Sequence, residues 1–224
     1  FQQKGESAYK PGLANVMELD DFYGNPHKNF KTIHIAGTNG KGSVSHTLAA
    51  ILQSVGYKVG LYTSPHLKDF SERIRVNSKP ISEQYVIDFV READEIIGKL
   101  NPSFFEITTL MAFTYFKHEN VDVAVIETGL GGRLDSTNII SPALSVVTNV
   151  SFDHVNLLGN TLEKIANEAS YAYTVEELSK IKGESDALLQ KRALLMERYG
   201  VPADYTDVKY ECTECSDSGF VGIN

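Results

Sequence analysis

Cysteine is scarce in this chain of 224 residues, and the two that occur, Cys212 and Cys215, lie side by side in one short segment. That placement excludes a disulfide framework spread over the fold and suits a reducing compartment. Long apolar runs are missing as well. None approaches the roughly 18–20 residues that span a bilayer, and the start Phe1-Gln2-Gln3-Lys4 carries no signal-peptide core. No membrane partner and a cytoplasmic location are therefore expected. Positive charge is in deficit, with 21 Lys and Arg against 29 Asp and Glu and a formal net charge of −8. This argues against a broad electropositive surface, so no nucleic-acid partner is expected and small-molecule chemistry fits better. An initiating methionine is absent and the chain stops at Asn224, so both ends are expected to be truncations. No internal repeat is evident.

What is present is a composition that is 42% hydrophobic, enough for one full α/β core plus a small extra piece. Residues 31–36 read as a short buried strand. Residues 42–55 follow as a helix whose apolar positions Val44, Leu48, Ile51, Leu52 and Val55 recur three and four apart. A second strand is expected over 57–62. The polar stretch 63–77, with Pro65 inside it and the alternating Arg73-Ile74-Arg75-Val76 at its end, reads as a long functional loop. One helix is expected over 82–100. A second, over 102–118, is built on Phe105, Leu110, Phe113 and Phe116, which belong to the core. Two β-branched runs, 121–126 and 143–149, are too short for helices and look like inner parallel strands. Strands alternating with helices imply a mostly parallel sheet covered on both faces, a three-layer α/β fold with its functional loops at the carboxyl ends of the strands.

The first such loop is Gly37-Thr38-Asn39-Gly40-Lys41-Gly42-Ser43, between a strand and a helix. Glycines let backbone N–H groups turn inward on phosphate oxygens, Lys41 can neutralise terminal phosphate charge, and the Ser43 hydroxyl can hold magnesium. The strict phosphate-loop pattern places serine or threonine directly after lysine, whereas Gly42 intervenes here. Glu127 ends one expected strand and His154 follows the next, so in a parallel sheet both can face the loop. Gly129, Gly131 and Gly132 leave the loop after Glu127 free to pass close to a ligand, and Asp135 and Asn138 can close that turn.

The loop 37–43 resembles the phosphate loop of folylpolyglutamate synthases and dihydrofolate synthases, members of the Mur ligase superfamily. Further stretches agree in order: Gly24-Asn25-Pro26, Thr63-Ser64-Pro65-His66-Leu67 with Phe70 and Glu72-Arg73-Ile74, and Phe105-Glu106 with Thr109. Glu127-Thr128-Gly129-Leu130-Gly131-Gly132-Arg133-Leu134-Asp135 with Thr137-Asn138, and Asp153-His154 with Leu158-Gly159, continue the series. The resemblance covers about residues 10–168. It implies a Mur-ligase central-domain fold and ATP-dependent amide formation, in which a folate or dihydropteroate carboxylate becomes an acyl phosphate that the amine of L-glutamate displaces. It also implies ATP and magnesium (Mg2+) as cofactors. By the same resemblance, the ATP site comprises Gly37, Thr38, Asn39, Gly40, Lys41, Gly42 and Ser43. Lys41, Glu127 and His154 act in catalysis, Ser43, Glu127 and His154 bind metal, and Ser64, His66 and Arg73 contact substrate. A monomer is expected. A Mur-type ligase acting on a cell-wall precursor is the neighbouring alternative, disfavoured by Gly42 and the Ser64-Pro65-His66 loop.

Composition shifts after Glu168. The family continues with a metal-binding lysine where this chain has Ala169, and residues 169–224 find no counterpart in it. Thr174 and Glu177 are spaced as a capping box and Gly200-Val201-Pro202 as a stop, predicting a helix over 174–199. The end of the chain resembles the front of helicase-loader-type ATPases, in which such a cysteine pair belongs to a four-ligand zinc site; no second pair follows here, so Cys212 and Cys215 are expected to be an inert pair. Two domains are thus expected, 1–168 as an ATP-binding ligase-like domain and 169–224 as a helical tail of foreign origin. The chain is expected to hold ATP and magnesium weakly without completing ligation. The alternative is a non-catalytic nucleotide-binding module with an interaction tail.

Overall fold

The β-branched runs of the sequence become the strands of one sheet in the structure, a computed structural model that describes residues 12–151, 161, 164–166, 190–191, 193–194 and 196–200. Helix α1 (Ala14–Phe22) and a 3-10 turn at Pro26–Asn29 lead into β1 (Lys31–Ala36), α2 (Lys41–Ser54) and β2 (Val59–Tyr62). A 3-10 turn at Phe70–Arg73 then precedes a short hairpin, β3 (Ile74–Val76) with β4 (Lys79–Pro80). Helices α3 (Glu83–Glu92), α4 (Asp94–Leu100) and α5 (Phe104–His118) are followed by β5 (Val123–Glu127) and β6 (Leu144–Val147). The strand order is β4-β3-β2-β5-β1-β6. β2, β5, β1 and β6 pair in parallel, while β3 and β4 form an antiparallel edge.

The period of two along each strand sorts side chains to two faces. Ile35, Val59, Leu61, Val123 and Val125 pack on one face against Val44, Leu48, Ala49 and Leu52 of α2. Tyr62, Ala124 and Ile126 point the other way, into a core shared with Leu110, Phe113 and Phe116 of α5 and with Val16 and Leu19 of α1. The result is the expected three-layer α/β arrangement, helix on sheet on helix. Each fully buried Phe or Leu contributes about 1.5–3 kcal/mol by leaving water. Two residues assigned to the apolar face of α2 do not belong to it: Ile51 and Val55 are 53% and 68% exposed. The buried stripe uses the small Ser45 and Ala49 instead, which lets the helix lie close to the sheet.

Close approach on the opposite face depends on Gly60 of β2, where an added Cβ would stand 2.8 Å from the ring of Phe116. Gly60→Ala is expected to destabilise the fold by about 1–3 kcal/mol through overpacking, read as a lower urea midpoint with an unchanged slope. The helix expected over 82–100 is two, joined at Ala93. Its N–H still bonds to Phe89 O at 2.9 Å and its carbonyl still accepts from Ile97 N–H at 2.8 Å, so hydrogen bonding runs through the junction. Phe89, Ala93 and Ile96 all lie on the core across the junction.

Two compact units divide the chain, Phe1–Ala172 and Tyr173–Asn224. In the second, the described residues from 190 to 198 are helical. Gly200 ends this helix with φ +64° and donates its N–H to Glu197 O at 3.2 Å, the stop expected at that glycine. Ala169, Cys212, Cys215 and most of the predicted 174–199 helix lie outside the described residues.

Candidate functional site

Parallel pairing brings the carboxyl ends of β1, β5 and β2 together at one edge of the sheet, and the loops that leave them carry most of the expected site. The phosphate loop leaves β1 and turns directly into α2. Gly37 (φ +128°) and Gly40 (φ +82°) take backbone conformations that side-chain-bearing residues avoid. Gly40 caps α2 without any side-chain partner, so the first-turn N–H groups of the helix stay open to an incoming anion. Lys41 meanwhile folds back on its own loop, its Nζ donating to Gly37 O at 2.8 Å and Thr38 O at 3.2 Å. An ammonium parked on two neutral carbonyls exchanges them readily for phosphate oxygens, whose charge attracts it more strongly.

Glu127 stands at the end of β5, only 3% exposed. Burial pushes its carboxyl up to about 7, against the pull of the Ser64 N–H, Lys41 and Arg73. Ser64 N–H donates to Glu127 Oε2 at 3.2 Å, and the open Cβ side of Gly42 faces the same oxygen at 3.8 Å. The residue after Lys41 therefore does point at the acidic group, as in the strict phosphate-loop pattern. It is a glycine, and Ser43, turned about 100° farther round the helix, is exposed.

The 63–77 loop is held by its own polar groups. Thr63 N–H bonds to Arg73 O at 3.0 Å and closes the loop's base. The Glu72 carboxylate collects the N–H groups of Leu67, Lys68 and Asp69 at 2.9, 3.1 and 3.0 Å. Those bonds draw its pKa down. The Arg73 guanidinium is buried, donates Nε–H to His66 Nδ1 at 2.8 Å and lies 5.3 Å from the centre of the Phe104 ring. Accepting that bond places the proton of neutral His66 on Nε2. Ser64, His66 and Arg73 thus share one loop, with the Ser64 N–H bonded to Glu127 and the Arg73 charge favouring the ionised form of that carboxyl.

The glycine-rich loop after β5 is shaped by Asp135. Its Oδ2 accepts from the N–H groups of Gly129 and Leu130, both at 2.9 Å, and its Oδ1 from Thr137 N–H at 3.0 Å and Thr137 Oγ1 at 2.5 Å. Thr137 Oγ1 in turn lies 2.8 Å from His34 Nε2 on β1. Because the threonine proton goes to Asp135, the His34 ring donates. Burial lowers its pKa to about 4, which keeps it neutral at ordinary pH. Asn138 closes the turn as expected, donating to Arg133 O at 2.9 Å. A Cβ on Gly129 would meet the Phe105 ring at 2.6 Å, so the loop backbone rests on that aromatic face.

The expected residues 37–43, Ser64, Arg73 and Glu127 thus come to one edge, while His154 lies outside the described residues. Sequence reading assigned no role to Thr148 and Asn149, which touch the phosphate loop. Nothing in the spacing of 148–149 relative to 37–39 announces that contact, which comes from β6 pairing with β1 in register.

Comparison with known proteins decides the family. The Mur ligase middle domain matches residues 35–171. The chain belongs to the Mur ligase family. Among related Mur ligases, the dihydrofolate synthase/folylpolyglutamate synthase of Bacillus subtilis is 45% identical over 166 residues, covering 71% of this chain and 39% of that protein. The folylpolyglutamate synthase of Lacticaseibacillus casei is 45% identical over 158 residues, covering 67% and 37%. The solved folylpolyglutamate synthase of Thermotoga maritima superposes with a TM-score of 0.67 at 48% identity, covering 72% of this chain and 38% of that one. Escherichia coli FolC in complex with DHPP and ADP gives 0.71 at 37% identity, covering 75% and 41%. The chain spans about two fifths of the length of the curated relatives it matches. The helicase-loader resemblance of the tail is not borne out by these relatives. Among the described residues no helix is long and apolar enough to cross a membrane.

Proposed function

We propose that residues 12–151 supply the ATP-phosphate site of a ligase that joins L-glutamate to a folate-type carboxylate, dihydropteroate or a reduced folate. The observation that carries this reading is the meeting, at one sheet edge, of an open helix N-terminus, a movable lysine and a buried glutamate. The relatives described as folylpolyglutamate or dihydrofolate synthases, and a solved complex described as FPGS with AMPPCP and folate, support the substrate class.

In this reading the α2 N-terminus and Lys41 bind and orient the ATP phosphates, concentrating positive potential where the transferred group develops charge. Arg73, stacked on Phe104 and bonded to His66, forms with it a positive wall suited to the acceptor carboxylate. The residues fit magnesium. A carboxyl buried at the cost of a pKa near 7 is a group that gains from a cation. We assign Glu127 and its neighbour Ser64 to hold it, with His154 serving a second ion near the acceptor. An ion held at Glu127 would supply charge neutralisation to the ATP phosphates. A monomeric state and a cytoplasmic site of action belong to the same proposal.

Equilibrium dialysis of the ATP-analogue-loaded chain against a folate acceptor and, separately, a cell-wall peptide precursor tests the substrate class. Retention of the folate alone is the expected result. Retention of the cell-wall precursor alone would move the chain to that branch of the family.

A further inference from the structure

The phosphate loop and the segment leaving β6 are tied together by hydrogen bonds that join residues more than 100 positions apart. Thr38 N–H donates to Asn149 O at 3.0 Å, and Asn39 N–H donates to Asn149 Oδ1 at 2.7 Å. Thr148 Oγ1 donates to Asn39 O at 2.7 Å. Thr38 and Ser151 bond reciprocally, Thr38 Oγ1 to Ser151 O at 3.1 Å and Ser151 N–H to Thr38 Oγ1 at 3.0 Å. Gly37 is what admits this contact, since a Cβ there would run into the Thr148 hydroxyl and stand 2.9 Å from Asn149 O.

This bonding divides the donors of the loop into two sets. The N–H groups of Thr38 and Asn39 are spent on Asn149, one on its backbone carbonyl and one on its side-chain carbonyl, the latter in the role a phosphate oxygen would otherwise take. The N–H groups at the start of α2 remain open. A glycine-rich loop pays a large conformational entropy to be ordered. Four of the five bonds are made by polar side chains, those of Asn149, Thr148 and the loop's own Thr38, rather than by sheet pairing.

We propose that Thr148 and Asn149 are positioning residues for nucleotide, a latch that fixes the phosphate loop in its binding shape and reserves the amides of residues 40–43 for phosphate. The proposal rests on the nucleotide-binding reading above. The latch does not touch phosphate. It acts through the loop, so its loss weakens phosphate binding without unfolding the sheet.

The test uses the full chain and a non-hydrolysable ATP analogue. Thr148→Val keeps the shape of the side chain and removes the donor, while Thr148→Ser keeps the donor. The valine variant is expected to bind the analogue about 3- to 10-fold more weakly, the effect of one lost hydrogen bond. The serine variant is expected to return to within about twofold of the parent chain. Equal affinity of all three, or a valine loss matched by an equal fall in thermal midpoint for the whole domain, overturns the latch. A second readout does not depend on nucleotide at all. In Asn149→Ala the Asn39 amide, stripped of its acceptor, should exchange with deuterium roughly tenfold faster while amides in the middle of α2 keep their protection. Unchanged exchange at Asn39 overturns the latch. If the parent chain binds no nucleotide, the functional reading fails, and the exchange experiment still decides the latch.

Discussion

Lys41→Met is expected to weaken binding of an ATP analogue by about 10- to 100-fold while leaving the thermal midpoint nearly unchanged. The lysine forms two hydrogen bonds to loop carbonyls in the free chain, to Gly37 and Thr38, and both are partly exposed. Losing them affects stability little. With phosphate present the same ammonium makes charge-assisted bonds worth about 1.5–3 kcal/mol, and roughly 1.4 kcal/mol is tenfold in affinity. Methionine matches the length of the side chain and removes only the charge and donors. Titration calorimetry reads the affinity directly. A loss smaller than about threefold would mean that the phosphates do not reach Lys41.

Glu127→Gln is expected to separate stability from function with opposite signs. The folded-state pKa of Glu127 is raised to about 7 from 4.5, so its ionisation is resisted by the fold. A raised pKa means that the stabilising contribution is complete below about 4.5 and is lost as pH rises through about 7. Above that pH the ionised carboxylate costs about 3 kcal/mol in the free chain. Glutamine cannot ionise, so the variant should be more stable than the parent at pH 8, with the gap closing toward pH 5. His34 works in the other direction. Its pKa is lowered to about 4, so its contribution is present above the unfolded value near 6.5 and is lost as pH falls through 4. The two groups oppose one another between about pH 4.5 and 6.5, and the parent chain should show a flatter stability profile there than Glu127→Gln does. The same substitution should abolish any gain in ATP-analogue affinity on adding magnesium. Urea unfolding across this pH range, paired with titrations with and without magnesium, measures both effects. A less stable variant at pH 8 would show that the carboxylate is paid for by partners other than a cation.

Much of this was legible in the residues, because the phosphate loop is local. Its strand, glycines, lysine and helix are contiguous, so one stretch of sequence carries both the element boundaries and the chemistry. Glu127 was legible for a similar reason, as a lone carboxylate ending a β-branched run. Helix α1 was not. Its buried side chains are Val16, Leu19 and Asp20, too few and too mixed to give a clear period. The partition of α2 was half legible, since Ile51 and Val55 fit the spacing but lost the core to Ser45 and Ala49. Small residues win where a helix must approach a sheet closely, and only the tertiary arrangement reveals how closely. The contacts that shape the site are long-range: Ser64 with Glu127, His34 with Thr137, and Asn149 with Asn39. They follow from strand order, and no spacing in the sequence encodes strand order. The magnesium assignment shows the consequence. Sequence reading placed Ser43 at the metal by analogy with the phosphate-loop pattern, while the folded chain sets Gly42 and Ser64 against Glu127.

The central claim is that this chain holds ATP phosphates on the loop between β1 and α2 with the help of a cation at Glu127. Titrating a non-hydrolysable ATP analogue into the full chain, once with magnesium and once with a chelator, addresses it most directly. Saturable one-to-one binding that tightens by about tenfold or more with magnesium is the predicted result. Binding that is absent in both conditions, or identical in both, would contradict it.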